Sequence, residues 1–270
     1  SLYLICGQRR AKYMNNKKVL LPIFNQLAIT IDAGIPLVLA LQLVADSAEH
    51  EDSKKILLNV KETIEKGKTL ADAMSEHPDF FDKYSVALVN AGEVGGILDT
   101  ILNRLARDIE WEIRFERKIE KALGAKVMAD VDWIKKQLED KISETEFDKL
   151  ILGMPNFGQI ILQLDTIRFC RILGSLIACG TPILDAFEVC IDTAHNKVVK
   201  EALRNTRSGI MLGTSISGPL KKTGLFPAIF IGMVQVGENT GAMDVTLTKI
   251  AEYFDFELDR NIDELLGKNL

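Results

Sequence analysis

The segment Ala91-Gly92-Glu93-Val94-Gly95-Gly96-Ile97-Leu98-Asp99 returns later in the chain as Val236-Gly237-Glu238-Asn239-Thr240-Gly241-Ala242-Met243-Asp244. Glycine, glutamate, glycine and aspartate keep their spacing in both copies. Each copy lies between an apolar run and a long charged, periodic segment, which reads as a helix, a tight glycine turn and a second helix. The match extends upstream, where Ala33-Gly34-Ile35-Pro36-Leu37 is answered by Cys179-Gly180-Thr181-Pro182-Ile183 and Gly67 by Gly213. A one-residue gap between Gly213 and Gly237 reconciles the two registers, so the chain writes one plan twice. The division this predicts is an N-terminal tail (1–16), a first helical bundle (17–125), a charged and partly helical linker (126–159) and a second bundle (160–270).

Within the first module, Leu20, Phe24, Leu27 and Ile31 step by three and four, the stripe of a helix facing a core. Pro22 suits a first turn, so the spacing predicts a regular helix from there to Gly34-Ile35-Pro36, where glycine ends one helix and proline opens the next. Further helices are expected at 36–48, from Asp52 as cap to Lys66, from Thr69 as cap to Glu76, at 83–91, and from Ile97 to about Leu123. In the last of these Leu98, Leu102, Leu105, Ile109, Ile113 and Ile119 face inward. Trp133, Ile134, Leu138 and Ile142 give the linker an amphipathic stripe, and 150–158 reads as a loop. The second module repeats the plan at 160–178, 182–194, 197–209, 214–222, 226–236 and 243–266, its fourth helix weakened by Ser217-Gly218-Pro219. The fold class is all-α: two six-helix antiparallel bundles in tandem.

With 47% hydrophobic and 26% charged residues, 270 residues can bury sizeable cores. A net charge of −5 without a basic, aromatic-interleaved stripe argues against nucleic acid as a partner. Cys6, Cys170, Cys179 and Cys190 sit in apolar company with no CxxC, which reads as core thiols in a reducing compartment. His50, His77 and His195 are scattered and form no ligand pair, so neither a metal nor another cofactor is expected. No stretch reaches the roughly 18 apolar residues that cross a bilayer, and the first residues lack the pattern of a secretory signal.

Taken together, Phe24-x-x-Leu27, Ala33-Gly34-Ile35-Pro36-Leu37, Gly67-Lys68-Thr69-Leu70-Ala71-Asp72-Ala73 and Ala91-Gly92-Glu93 with Gly96 and Leu98-Asp99 resemble the type II secretion F-domain family. The second module carries the likeness through Arg168-Phe169-Cys170-Arg171, Gly180-Thr181-Pro182, Thr223-Gly224-Leu225-Phe226-Pro227 and Gly237-Glu238-Asn239-Thr240-Gly241. The resemblance implies six-helix bundles on the cytoplasmic side of a bacterial inner membrane. It also implies a homo-oligomeric platform that couples a cytoplasmic assembly ATPase to movement of pilin or pseudopilin subunits, alongside other inner-membrane assembly proteins. Family members carry membrane spans after each domain, whereas this sequence turns to the charged stretch 130–146 after the first; the cytoplasmic domains are therefore expected here joined without their spans. The alternative is a soluble helical adaptor unrelated to secretion.

Glu93 with Asp99, and Glu238 with Asp244, have the residue types for acid–base chemistry. No nucleophile, histidine or ligand cluster accompanies them, so the adopted reading is structural: aspartate early in a helix meets free amides and the positive dipole end, and glutamate bonds the turn backbone. The glycines lack the spacing of a phosphate-binding loop. The expected protein is thus not an enzyme, with Gly34, Pro36, Gly92, Glu93, Gly96, Asp99, Gly180, Pro182, Gly237, Glu238, Gly241 and Asp244 as its structural and interaction motif. Trp111, Phe115 and Phe256, partly off the inward stripes, are candidate interface residues, and Arg104, Arg107, Arg114 and Arg117 a candidate face for the ATPase.

Overall fold

The structure, a computed structural model, describes residues 7–138, 142–154 and 157–268. The described residues are all-α, with no strand among them. They form α1 (Gly7–Asp32), α2 (Leu37–Ser47), α3 (Glu51–Glu65), α4 (Leu70–Ser75), α5 (Lys83–Gly95), α6 (Leu98–Leu138) and α7 (Glu144–Leu152). The remainder are α8 (Phe157–Ala178), α9 (Ile183–Thr193), α10 (Lys197–Met211), α11 (Ser217–Lys222), α12 (Ala228–Thr240) and α13 (Met243–Lys268). The described residues fall into two compact units, one of residues 11–115 and one of those from 116 onward together with residues 7–10.

Three differences from the sequence reading have physical causes. Helix α1 starts at Gly7, not near Pro22, which lies inside it. Its buried positions Met14, Lys17, Leu20, Phe24 and Leu27 keep one helical stripe through the proline, and the stripe is hard to read because position 17 is a lysine. Asp52 does not cap α3; the N-cap is His50, and Glu51 and Asp52 occupy the first turn at the positive end of the helix dipole. Residues 150–152 and 157–158, expected as loop, belong to α7 and α8, and Gly158 lets α8 start against α7: an added Cβ would lie 2.1 Å from the Leu152 carbonyl oxygen. The side chains of Trp133, Ile134 and Leu138, and residues Pro155 and Asn156, lie outside the described set.

Other signals hold. Thr69 caps α4 by accepting from the Asp72 amide at 3.0 Å. Gly34 and Gly180 both take φ 79°, the left-handed conformation that ends a helix without a Cβ penalty. Pro36 and Pro182 follow with the same backbone, φ −55° and ψ 139°, at the N-caps of α2 and α9. Of the inward positions assigned to α6, Leu102, Leu105, Ile109, Ile113 and Ile119 are buried and Leu98 is half-buried. Ser217-Gly218-Pro219 does not break the eleventh helix but begins it, proline being tolerated where the amide would have no helical partner. Among the described residues no helix is long and apolar enough to cross a membrane.

Candidate functional site

The repeated motif is a helix end rather than a loop. Gly92 and Glu93 lie inside α5, Gly237 and Glu238 inside α12, and the chain turns at Gly96 and Gly241, whose φ of 65° and 72° is left-handed. A β-carbon on Gly92 would stand 2.7 Å from Ile101 Cγ1 of α6; one on Gly237 would stand 2.8 Å from Met243 Sδ and 2.9 Å from Thr246 Cβ of α13. Both glycines therefore let two helices close against each other just before the turn between them.

The adjacent glutamate uses that closeness. Glu93 accepts from the amides of Leu70 and Ala71 at 2.7 and 2.9 Å, taking two of the free donors at the start of α4. Glu238 does the same for α11, accepting from the amides of Ile216 and Ser217 and from the Ser217 hydroxyl. The carboxylate thus bonds the opening of a short helix twenty residues upstream in sequence terms, not the backbone of its own turn, which corrects the reading above. Asp99 and Asp244 sit in the first turns of α6 and α13, where negative charge meets the positive dipole end.

Around the first copy, Ile31, Asp32, Gly92, Glu93, Gly96, Leu98 and Asp99 line an open cleft of about 450 Å³. Among the described residues no group of three or more histidine, cysteine, aspartate or glutamate side chains is placed to hold a metal ion. Burial pushes the thiols of Cys170 and Cys190 upward, which keeps them protonated and unreactive. Trp111 and Phe115 are buried and stacked with ring centroids 5.4 Å apart, whereas Phe256 is 69% exposed. Arg107 and Arg114 project from the exposed side of α6, seven residues apart and so on one face, with Arg104 half-buried beside them.

Sequence reasoning missed a charged cluster at the start of the first unit. Lys17, 4% exposed, lies 2.7 Å from Asp82 and 3.4 Å from Glu112, and 5.2 Å from the centre of the Tyr13 ring. Tyr13 donates to Glu112 at 3.1 Å. Burial alone would lower the Lys17 ammonium, but the two carboxylates outweigh it and hold the group well above its ordinary range. Burial would likewise raise Asp82, yet the Lys17 charge and the hydrogen bonds from Lys17 and Ser85 bring it below the ordinary value. The signal available in the sequence was the lysine at an inward position of the α1 stripe.

Two all-α units that each tie a short helix to the last helical hairpin through one glutamate define a class of paired helical modules. The chain belongs to the family of the type II secretion system (T2SS) protein F, whose pattern matches residues 23–129 and 169–268. It is 35% identical over 305 residues to the type IV pilus assembly protein PilC of Myxococcus xanthus, covering 92% of this chain and 73% of that protein. It is 29% identical over 298 residues to PilC of Thermus thermophilus, covering 89% and 73%. It is 25% identical over 302 residues to the type II secretion system protein F of Vibrio cholerae, covering 91% and 74%. Each aligned span is longer than the share of these 270 residues it covers, so the relatives hold, inside the span, a stretch that this chain does not have.

Proposed function

We propose that this chain is a non-enzymatic platform of a type II secretion or type IV pilus machine, coupling a cytoplasmic assembly ATPase to the movement of pilin or pseudopilin subunits at the bacterial inner membrane. The observation that supports this most is the match to pilus-assembly and secretion proteins through both modules, 92% of the chain for the Myxococcus xanthus relative. The motif carboxylates fit a binding body better than a catalyst, because Glu93 and Glu238 are committed to helix amides. The membrane spans implied by the family are assigned to the stretch that the relatives hold inside the aligned span, with the two modules on the cytoplasmic side. Phe256, open where Trp111 and Phe115 are buried, is the aromatic we assign to contact with a second copy.

The motor contact is assigned to the α6 face carrying Arg107 and Arg114. Co-purification with the assembly ATPase tests it: the unaltered chain is expected to retain the motor, and Arg107→Glu with Arg114→Glu to lose it by tenfold or more, about 1.4 kcal/mol. Retention unchanged by the double reversal discards this face, and failure of the unaltered chain to retain any assembly ATPase discards the platform reading.

A further inference from the structure

We propose that this chain assembles head to tail: the exposed Met211-Leu212 corner of the second unit seats in the cleft lined by Asp32 and Asp99 on the first unit of a second copy. Such a contact goes beyond the platform reading, which needs neither surface.

The duplicated plan supplies its own control, because a feature that one unit folds without is not required for folding in the other. At the C-terminal end of α10 the second unit has Met211 and Leu212, 61% and 85% exposed. The first unit has Glu65 and Lys66 at the same place, each pair standing just before a left-handed glycine, Gly213 or Gly67. The apolar pair gives the fold nothing that the charged pair does not, so its character serves contact. The corner is also braced: Arg207, tied to Glu188 at 2.8 Å and donating to the Leu184 carbonyl of α9 at 3.1 Å, reaches Met211 Sδ with Nη1 at 3.5 Å.

The same corner concentrates positive charge in a chain whose net charge is −5. Residues 197–222 hold six basic residues and one acidic, against five and six in the equivalent residues 51–76, so an acidic partner surface is the one it favours. Arg204, seven residues before Met211 and on the same face of α10, is exposed, as are Lys221 and Lys222 at the end of α11. Pro219 of α11 stands 2.7 Å from where a Cβ on Gly209 would be, which lays α11 against the last turn of α10. Arg204, Lys221 and Lys222 make no ion pair among the described residues. Three free cations thus accompany an apolar tip.

The complement lies on the first unit. Its open cleft of about 450 Å³ has apolar walls in Ile31 and Leu98, with Val94 and Ile97 exposed in the turn beside them. Glu93 is occupied by the α4 amides, but Asp32 and Asp99 are not neutralised: Asp99 Oδ2 accepts from the Thr100 hydroxyl at 3.3 Å, and neither aspartate has a cationic partner among the described residues. The second unit has Ala178 in the place of Asp32. Each surface is therefore developed in one unit only, acidic cleft in the first and basic apolar tip in the second. Two unlike surfaces make a heterologous contact, in which every copy of a pair leaves one tip and one cleft free until a ring closes.

Sedimentation velocity of the intact chain over rising concentration tests this. Association is expected, and it should weaken as salt rises. Leu212→Asp and Asp32→Lys, both at exposed positions, are each expected to weaken it by about tenfold or more. Lys221→Glu with Lys222→Glu is a second tip variant, should the end of α10 not tolerate aspartate. The Leu212→Asp chain keeps its cleft and the Asp32→Lys chain keeps its tip, so mixing the two should restore pairs and nothing larger. A monomeric unaltered chain would overturn the proposal and leave the tip to a foreign acidic partner. Association that survives both variants, loss confined to the tip variants, or a mixture that forms no pairs would overturn it as well. Motor retention is not read by this experiment, so the platform reading stands or falls separately.

Discussion

One methyl group separates a closed helical hairpin from an open one at Gly92. Its missing Cβ is the space into which Ile101 of α6 fits, and the 2.7 Å contact that alanine would create involves the side-chain stem, not a flexible tip. Relief requires α5 and α6 to move apart, and overpacking of this kind costs about 1–3 kcal/mol. Gly92→Ala is therefore expected to lower stability in denaturant unfolding by that amount. Gly232→Ala, inside α12 where a Cβ meets open space, should be neutral or gain up to about 1 kcal/mol of helix propensity, and serves as the control. The same response at both positions would show that the hairpin tolerates a wider spacing.

Between elements, the bond that matters is the one from Glu93 in α5 to the two leading amides of α4. Helix α4 is only Leu70–Ser75, too short to persist without tertiary partners. Glu93→Ala strands two donors beside buried Leu70 and Ala71, at about 1–3 kcal/mol, while Glu93→Gln keeps one acceptor and should lose less. Faster exchange at the α4 amides in the alanine variant, with α3 unchanged, would locate the effect; an unaltered α4 would refute the tie. Much of this arrangement was legible in the sequence, because the glycines that end helices, the Thr69 cap and the α6 stripe are local signals. The partner of Glu93 was not legible: twenty-odd residues, spanning α4, the turn after it and most of α5, must fold back before the carboxylate meets those amides, and no local pattern encodes that return. The start of α1 was hidden for a different reason, a buried lysine whose compatibility with the stripe depends on the carboxylates of Asp82 and Glu112 far along the chain.

Across the whole molecule, the two units anchor equivalent long helices with different chemistry, and acid should tell them apart. In residues 11–115 the anchor is Lys17 with Asp82 and Glu112; at the place of Lys17 the other unit has Gln163, which accepts from Asn261 Nδ2 at 3.0 Å and carries no charge. Asp82 is lowered in the folded state, so its contribution is complete above the ordinary carboxylate range and is lost as pH falls through the lowered value. Lys17, raised by its acidic partners, keeps its contribution at all lower pH and loses it only in strong alkali, so the acid loss belongs to Asp82. The amide pair does not titrate, and the Asp148 carboxyl, raised in the folded state, favours folding of its unit under mild acid. On stepwise acidification followed by amide NMR, signals of residues 11–115 are thus expected to lose dispersion at higher pH than those of the second unit. Lys17→Met leaves two carboxylates facing each other without their cation, at about 3 kcal/mol, short of the full cost of breaking a buried pair because the Asp82 side chain keeps 30% exposure. That variant should lose folded signal from the first unit already at neutral pH, and a common midpoint for both units in the unaltered chain would mean that the charged anchor does not govern acid stability.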